Sequence, residues 1–404
     1  MSKIIRVRTF YPADPVGVVP GGIDTFMRGL IKWAPDELEF SLVGMTTEPV
    51  VRPVGQWTTC DLGRRQFKML PLLAVEDAGG RSRIPLSLRF TSLLYRNRAA
   101  VAADFDVFEF HRIEPVLPFR SDRRPKNAFF HQDMSVIGSK KSDIFWRHLP
   151  AAYFYLERML FSSLGSAYCV REEGAKILRQ RYPDLAPHIQ FIPTWVDTEI
   201  FWPASNEEGR RNARAELRSS LGLSENAKVI ITVGRLDTQK NPQLLLLAFA
   251  QLHRAHPDAA LVFVGDGVLR AALLEQVKVL GIADKVRFAG LLAPARIAEV
   301  LRGSDLFALS SNYEGMPMAL LEALGCGVPV VTTDVGEVRR VVSNGSNGYI
   351  VVRPDPDDFC AAMHQVLNNL DSFAGEPCVK SIQLFQPAVV LEKIYENYIR
   401  LASY

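Results

Sequence analysis

The 404-residue sequence predicts an α/β protein built from two doubly wound, Rossmann-like domains that face a central cleft. Three observations predict it. The second half alternates six short, uninterrupted apolar runs with segments of helical spacing. The first half repeats that alternation more loosely. The length suits two or three domains. Strands that are apolar throughout belong to parallel sheets covered on both faces.

In the first half, residues 4–10 (IIRVRTF) read as a strand, followed by a glycine-rich turn containing Gly21-Gly22 and a helix over 24–34. Further strands are expected at 38–45, 106–111, 127–133, 167–170 and 189–193. The two at 106–111 and 127–133 run into His111 and His131. The charged stretch 203–225 reads as the boundary. The expected domains are therefore 1–204, 205–385 and a C-terminal helix, 386–404, packing back toward the first domain.

In the second half, strands are expected at 229–234, 260–265, 286–290, 305–310, 329–333 and 348–352. Residues 242–255 place Leu244, Leu245, Ala248, Phe249 and Leu252 on one helical face, and residues 268–280 repeat the pattern. Open α/β sheets bind ligands beyond the C-terminal ends of their strands.

Composition excludes several classes. With 48% hydrophobic residues and a net charge of +3, the chain is not disordered. Its five cysteines lack CxxC spacing, which argues against a zinc site or a disulfide framework and for a reducing, cytoplasmic location. No apolar stretch is long enough for a signal peptide or a membrane span. Residues 1–204 carry 27 Lys+Arg against 22 Asp+Glu, without a long basic run, so nucleic acid is not an expected partner.

Four places carry candidate chemistry. Glu314-Gly315-Met316-Pro317-Met318 follows a strand and opens a helix that contains Glu322. Pro317 suits a helix start, and the free N–H groups there favour an anion. Carboxylates such as Glu314 and Glu322 accept hydrogen bonds from hydroxyl-rich ligands. Gly234-Arg235 and Lys240-Asn241 lie beyond the first strand of the second half, where both cations can face a diphosphate. Gly265-Asp266-Gly267 marks a turn after the next strand. Gly21-Gly22 lets backbone approach a phosphate or sugar closely. His131 and His111, at strand ends, can bond a hydroxyl. Asp355-Pro356-Asp357 is not taken as a metal site, and no metal or cofactor is expected.

The segments GRL-x3-KN (234–241), VGDG (264–267), EGMPMALLEALGCGVPVVTT (314–333) and NGSNGYIVVRPDPDDF (344–359) resemble the retaining glycosyltransferases of family 4, which have the GT-B fold. FIPTWVDTEIFWP (191–203), Gly21-Gly22 and His131 extend the likeness to the first half. Thr194-Trp195-Val196-Asp197 and Val335-Gly336-Glu337 depart from the family's pattern.

The resemblance implies a hexosyltransferase that uses a nucleotide-diphosphate sugar, GDP-mannose or a UDP-sugar, as co-substrate. Arg235 and Lys240 would neutralise the diphosphate, with backbone donors from Gly315 to Met318. Glu314 would hold sugar hydroxyls, Glu322 the ribose, and His131 would stand near the transferred sugar. Gly21, Gly22, Gly265, Asp266 and Leu291 would complete the donor site. The acceptor would be a saccharide or lipid-linked oligosaccharide, in bacterial polysaccharide biosynthesis.

Residues 60–100 hold eight Lys+Arg against three acids, interleaved with apolar side chains, and residues 144–161 are aromatic. Such a surface suits peripheral contact with an anionic membrane, at the inner face of the plasma membrane. A nucleotide-sugar epimerase on the same fold and a non-catalytic scaffold are the alternatives.

Overall fold

A computed structural model describes residues 3–17, 22–74, 84–131 and 150–403. Gly21, residues 75–83 of the basic stretch, residues 132–133 and residues 144–149, all within segments read above, lie outside the described residues. The chain divides into two units. Unit 1 comprises Met1–Thr194 and Pro387–Tyr404, and unit 2 comprises Trp195–Gln386.

Unit 1 is built on strands β1 (Ile5–Phe10), β2 (Leu38–Thr46), β3 (Thr58–Asp61), β4 (Gln66–Ala74), β5 (Val107–Phe110), β6 (Lys126–Phe130), β7 (Ser166–Cys169) and β8 (Ile189–Phe191). Their order is β3-β4-β2-β1-β5-β6-β7-β8. Every pair is parallel except β3 with β4. Phe10, Phe90, Phe108, Phe110 and Phe119 fill the core over one face.

Unit 2 is built on β9 (Lys228–Val233), β10 (Ala259–Val264), β11 (Val286–Gly290), β12 (Leu306–Leu309), β13 (Val330–Thr333) and β14 (Gly348–Val351). These run in the order β11-β10-β9-β12-β13-β14 and are all parallel. Helices Pro242–Ala255 and Pro356–Asn368 pack Leu245, Phe249, Phe359 and Met363 against one face. A second core on the other face takes Leu217, Leu301, Leu320 and Leu324. Burial on both faces explains why these strands are apolar throughout.

Several expectations are corrected. The break falls at 194/195 rather than 204/205. The charged stretch read as a linker contains helix Glu207–Leu221. Asn206 caps it by accepting from Gly209 N, and Gly222 closes it in the left-handed conformation. The β3–β4 hairpin was not foreseen. Pro71 lies inside β4, where a proline argues against a strand, and the register with β2 shifts between Gly44 and Met45 beside it.

The basic, apolar stretch is partly core: helix Leu86–Arg96 buries Phe90 and Leu94. Helix Pro150–Phe161 buries Tyr153, Leu160 and Phe161 while exposing Tyr155. Asp355 is a helix cap, its Oδ1 accepting from Asp358 N. Among the described residues, no helix is long and apolar enough to cross a membrane.

Candidate functional site

In unit 2 the strand order reverses between β9 and β12, and the residues that follow these two strands meet. The turn after β9 is held by two glycines. Gly234 has φ +157°, and a Cβ there would press on the Lys240 side chain. Gly265, after β10, has φ +131°, and a Cβ there would fall 1.9 Å from Gly234 O. Only glycine allows the two turns to come so close. Asn241, at φ +45°, then opens helix Pro242–Ala255. Ser310 Oγ donates to the carbonyls of Lys240 and Asn241, at 3.1 and 2.9 Å, tying this turn to the end of β12.

These contacts bring Lys240 to Glu314. Lys240 Nζ lies 2.6 Å from Glu314 Oε1, which also accepts from Ser311 Oγ at 2.7 Å. The lysine side chain is 21% exposed and the glutamate side chain 9%. Arg235 is open to solvent and bonds Asp237 and Gln239. Asp237 Oδ1 in turn accepts from Lys240 N at 3.0 Å.

Beyond Glu314, Gly315 O accepts from Glu337 N, and a Cβ at Gly336 would fall 1.8 Å from that same oxygen. This packing fixes the approach to helix Met318–Gly325, at whose start Leu320 N and Leu321 N turn back to Pro317 O and the N–H groups of Met318 and Ala319 precede the first intrahelical bond. Met316 and Pro317 are buried beneath it.

Glu322, one turn into that helix, is half-buried. Removal from water pushes its carboxyl up to about 7. Asp197 adds to the rise and Lys240 opposes it. Gly265 N donates to Gly290 O at 2.8 Å. Asp266 and Leu291, just beyond these strand ends, are exposed. Unit 2 thus gathers Arg235, Lys240, Gly265, Asp266, Glu314 to Met318 and Glu322 around the ends of β9, β10 and β12. Two cations and a helix N-terminus can take an anion there. The carboxylates can take hydroxyl groups.

In unit 1, β5 and β6 are neighbours and parallel, so their following residues stand side by side. His111 Nδ1 lies 2.8 Å from His131 Nε2, and His111 Nε2 lies 3.1 Å from Glu109 Oε1. Burial, with His111 beside it, pulls the His131 imidazole well below its usual value. Gly22 is the first residue of helix Gly22–Lys32, and Phe26 of that helix packs edge-on against His131 at 4.9 Å.

Sequence reasoning missed Glu109, Ser311 and Asp197. A lone acid inside the apolar run VFEF was the available signal for Glu109. Ser311 and Asp197 carried none, because serine and aspartate are ordinary loop residues.

Residues 213–373 match the model of the glycosyl transferases group 1 family. Consistent with a group 1 segment, the chain is 33% identical over 223 residues to D-inositol 3-phosphate glycosyltransferase of Corynebacterium jeikeium, covering 52% of each protein. The chain spans about half the length of the curated relatives it matches. Sucrose-phosphate synthase from Thermosynechococcus elongatus superposes with a TM-score of 0.77 at 17% identity, covering 99% of both chains. HepE from Anabaena, in complex with UDP-glucose, superposes with a TM-score of 0.71 at 17% identity, covering 98% of this chain and 99% of its own. These structural likenesses show the fold alone: the group 1 segment sits within a GT-B chain of two Rossmann-like units.

Proposed function

We propose that the protein is a retaining, metal-independent glycosyltransferase. It moves a hexose from a nucleotide-diphosphate sugar, GDP-mannose or a UDP-sugar, to a hydroxyl of a saccharide or lipid-linked oligosaccharide in polysaccharide biosynthesis. The observation that carries this reading is the Lys240–Glu314 pair, 2.6 Å apart beside a helix N-terminus at the switch point of the unit 2 sheet. A cation for the leaving diphosphate and an acceptor for sugar hydroxyls stand next to each other there. The UDP-glucose bound by HepE is a ligand of this chemical class.

As the C1–oxygen bond of the donor breaks, charge grows on the phosphate oxygens. Arg235, Lys240 and the N–H groups near Met318 stabilise it. Preorganised donors of this kind contribute about 3–4 kcal/mol each. The acceptor hydroxyl attacks C1 from the face the diphosphate is leaving and passes its proton to the departing phosphate oxygen. Anomeric configuration is kept. Glu314 holds donor hydroxyls and Glu322 the ribose, while His131 contacts the transferred sugar.

A thermal-shift screen against UDP, GDP, ADP and their common sugar conjugates, in EDTA, tests the reading. A ligand bound only by the folded state raises Tm. The expected result is a rise with one nucleotide diphosphate that disappears in Lys240→Ala. Silence with all of them overturns the proposal. Donor consumption without a glycosylated acceptor would instead favour an epimerase.

A further inference from the structure

Sugar transfer as proposed uses His131 but leaves the side chains behind it unexplained. Glu109 sits inside β5 with only 1% of its surface exposed. Its Oε1 accepts from Thr9 Oγ1 at 2.7 Å and faces His111 Nε2 at 3.1 Å. Its Oε2 accepts from the Tyr398 hydroxyl, which comes from helix Pro387–Leu401. His111 is itself buried, stacked on Phe129 with ring centroids 5.0 Å apart, and its Nδ1 lies 2.8 Å from His131 Nε2.

With Glu109 ionised and both imidazoles neutral, the hydrogens along this chain can be placed by elimination. An ionised carboxylate accepts and never donates, so the hydrogen between Glu109 and His111 is on His111 Nε2. A neutral imidazole carries one N–H, so His111 Nδ1 is bare and accepts. The hydrogen in the 2.8 Å contact between the two rings is then on His131 Nε2. A neutral His131 is left with a bare Nδ1, which has no partner among the described residues.

We propose that Glu109 and His111 are positioning residues that hold His131 in its Nε2–H form, so that Nδ1 is presented as a hydrogen-bond acceptor for a ligand hydroxyl. The ligand's being a sugar rests on the function proposed above; the tautomer does not. His131 in this form receives a hydrogen bond from a hydroxyl and offers none to a phosphate. Ring orientation is fixed as well, because the His131 and His111 rings lie edge to edge within 19° of a common plane while Phe26 packs at a steep angle against His131. Second-neighbour partners that orient a histidine in this way are worth roughly 10–100-fold in metal sites. A wrong tautomer costs the serine-protease triad far more.

The test uses the full chain with 15N-labelled histidine and long-range 1H–15N correlation, assigned with His111→Gln and His131→Gln. Both rings are expected as Nε2–H with bare Nδ1. A hydrogen on His131 Nδ1, or a mixture of the two forms such as free imidazole shows, overturns the proposal.

A second arm measures kcat and KM with the donor found by the thermal-shift screen. His111→Leu breaks the chain. His111→Gln can still donate to Glu109 and accept from His131. The leucine variant is expected to lose kcat by about tenfold or more with KM within about threefold, and the glutamine variant to recover most of that loss. Equal losses in the two variants, with native circular dichroism, overturn the proposal. If the leucine variant does not fold, the wild-type tautomer decides. The spectra need no substrate, so a locked His131 in a protein that binds no nucleotide sugar would sink the transfer reading and leave the relay standing.

Discussion

Two ion pairs stand at opposite ends of the same two strands of unit 2. At the N-terminal end, Arg218 meets Asp305 at 2.6 Å, and both side chains are 1% exposed. Arg218 also donates to the carbonyls of Ala227, Arg214 and Gly303, and Asp305 accepts from Val229 N. At the C-terminal end, Lys240 meets Glu314 at the same distance, but there the ammonium bonds only one carboxylate oxygen among the described residues. In the first pair every guanidinium nitrogen of Arg218 is bonded by protein, and the pair holds a helix to a sheet. The second keeps donors and an acceptor in reserve. Distance alone would not separate them; the bonds left unmade do.

That contrast can be broken in three ways, in order of expected effect. Arg218→Ala should cost about 3–5 kcal/mol in chemical denaturation, because it strands a buried carboxylate. A loss below about 1 kcal/mol would mean that Arg214, 2.7 Å from Asp305 Oδ1, suffices alone.

Lys240→Ala should do the reverse. It should cost only about 1 kcal/mol of stability. Transfer rate should fall about 10²–10³-fold. A large stability loss with an unchanged rate would make the second pair structural too.

The smallest effect is a pH dependence at Glu322. Its carboxyl is raised from 4.5 to about 7 in the folded chain, so the folded state binds more protons than the unfolded one between those values. Stability should therefore fall as pH rises through that window and level off above it. Glu322→Gln should remove this contribution, so its Tm advantage over the wild type should grow from pH 4.5 to 7. An advantage independent of pH would place the carboxyl near its ordinary value.

The sequence made unit 2 legible because its strands are buried on both faces and each apolar run announces itself. All six lie within a residue or so of where periodicity puts them. Unit 1 was less readable. β3 and β4 form an edge hairpin with polar positions and an internal Pro71, features that ordinarily argue against strands. Helix Glu207–Leu221 buries only Leu217 and Arg218, so a charged sequence hid both the helix and its anchor.

Within the site, Arg235, Lys240, Glu314 and Glu322 were named by motif. Their pairing was not, because it depends on which strands are neighbours. The same holds for His111 and His131. Each was visible as a strand end, but the 2.8 Å contact follows from β5 lying beside β6.

Helix Pro387–Leu401 completes unit 1 from the far end of the chain. Tyr395 donates to Leu30 O, Asn397 reaches Ser166 and Tyr168, and Tyr398 reaches Glu109. Unit 2 is thus an insertion whose two ends are tied by Val196 N donating to Phe385 O. On the ribosome, domains ordinarily finish in the order in which they are made. Here the order is inverted. Unit 2 has its whole sequence once residue 386 has emerged, while Glu109, synthesised long before, waits for Tyr398. Unit 1 is begun before unit 2 and finished after it, and Glu109 Oε2 gains its hydroxyl partner only once residue 398 has been made.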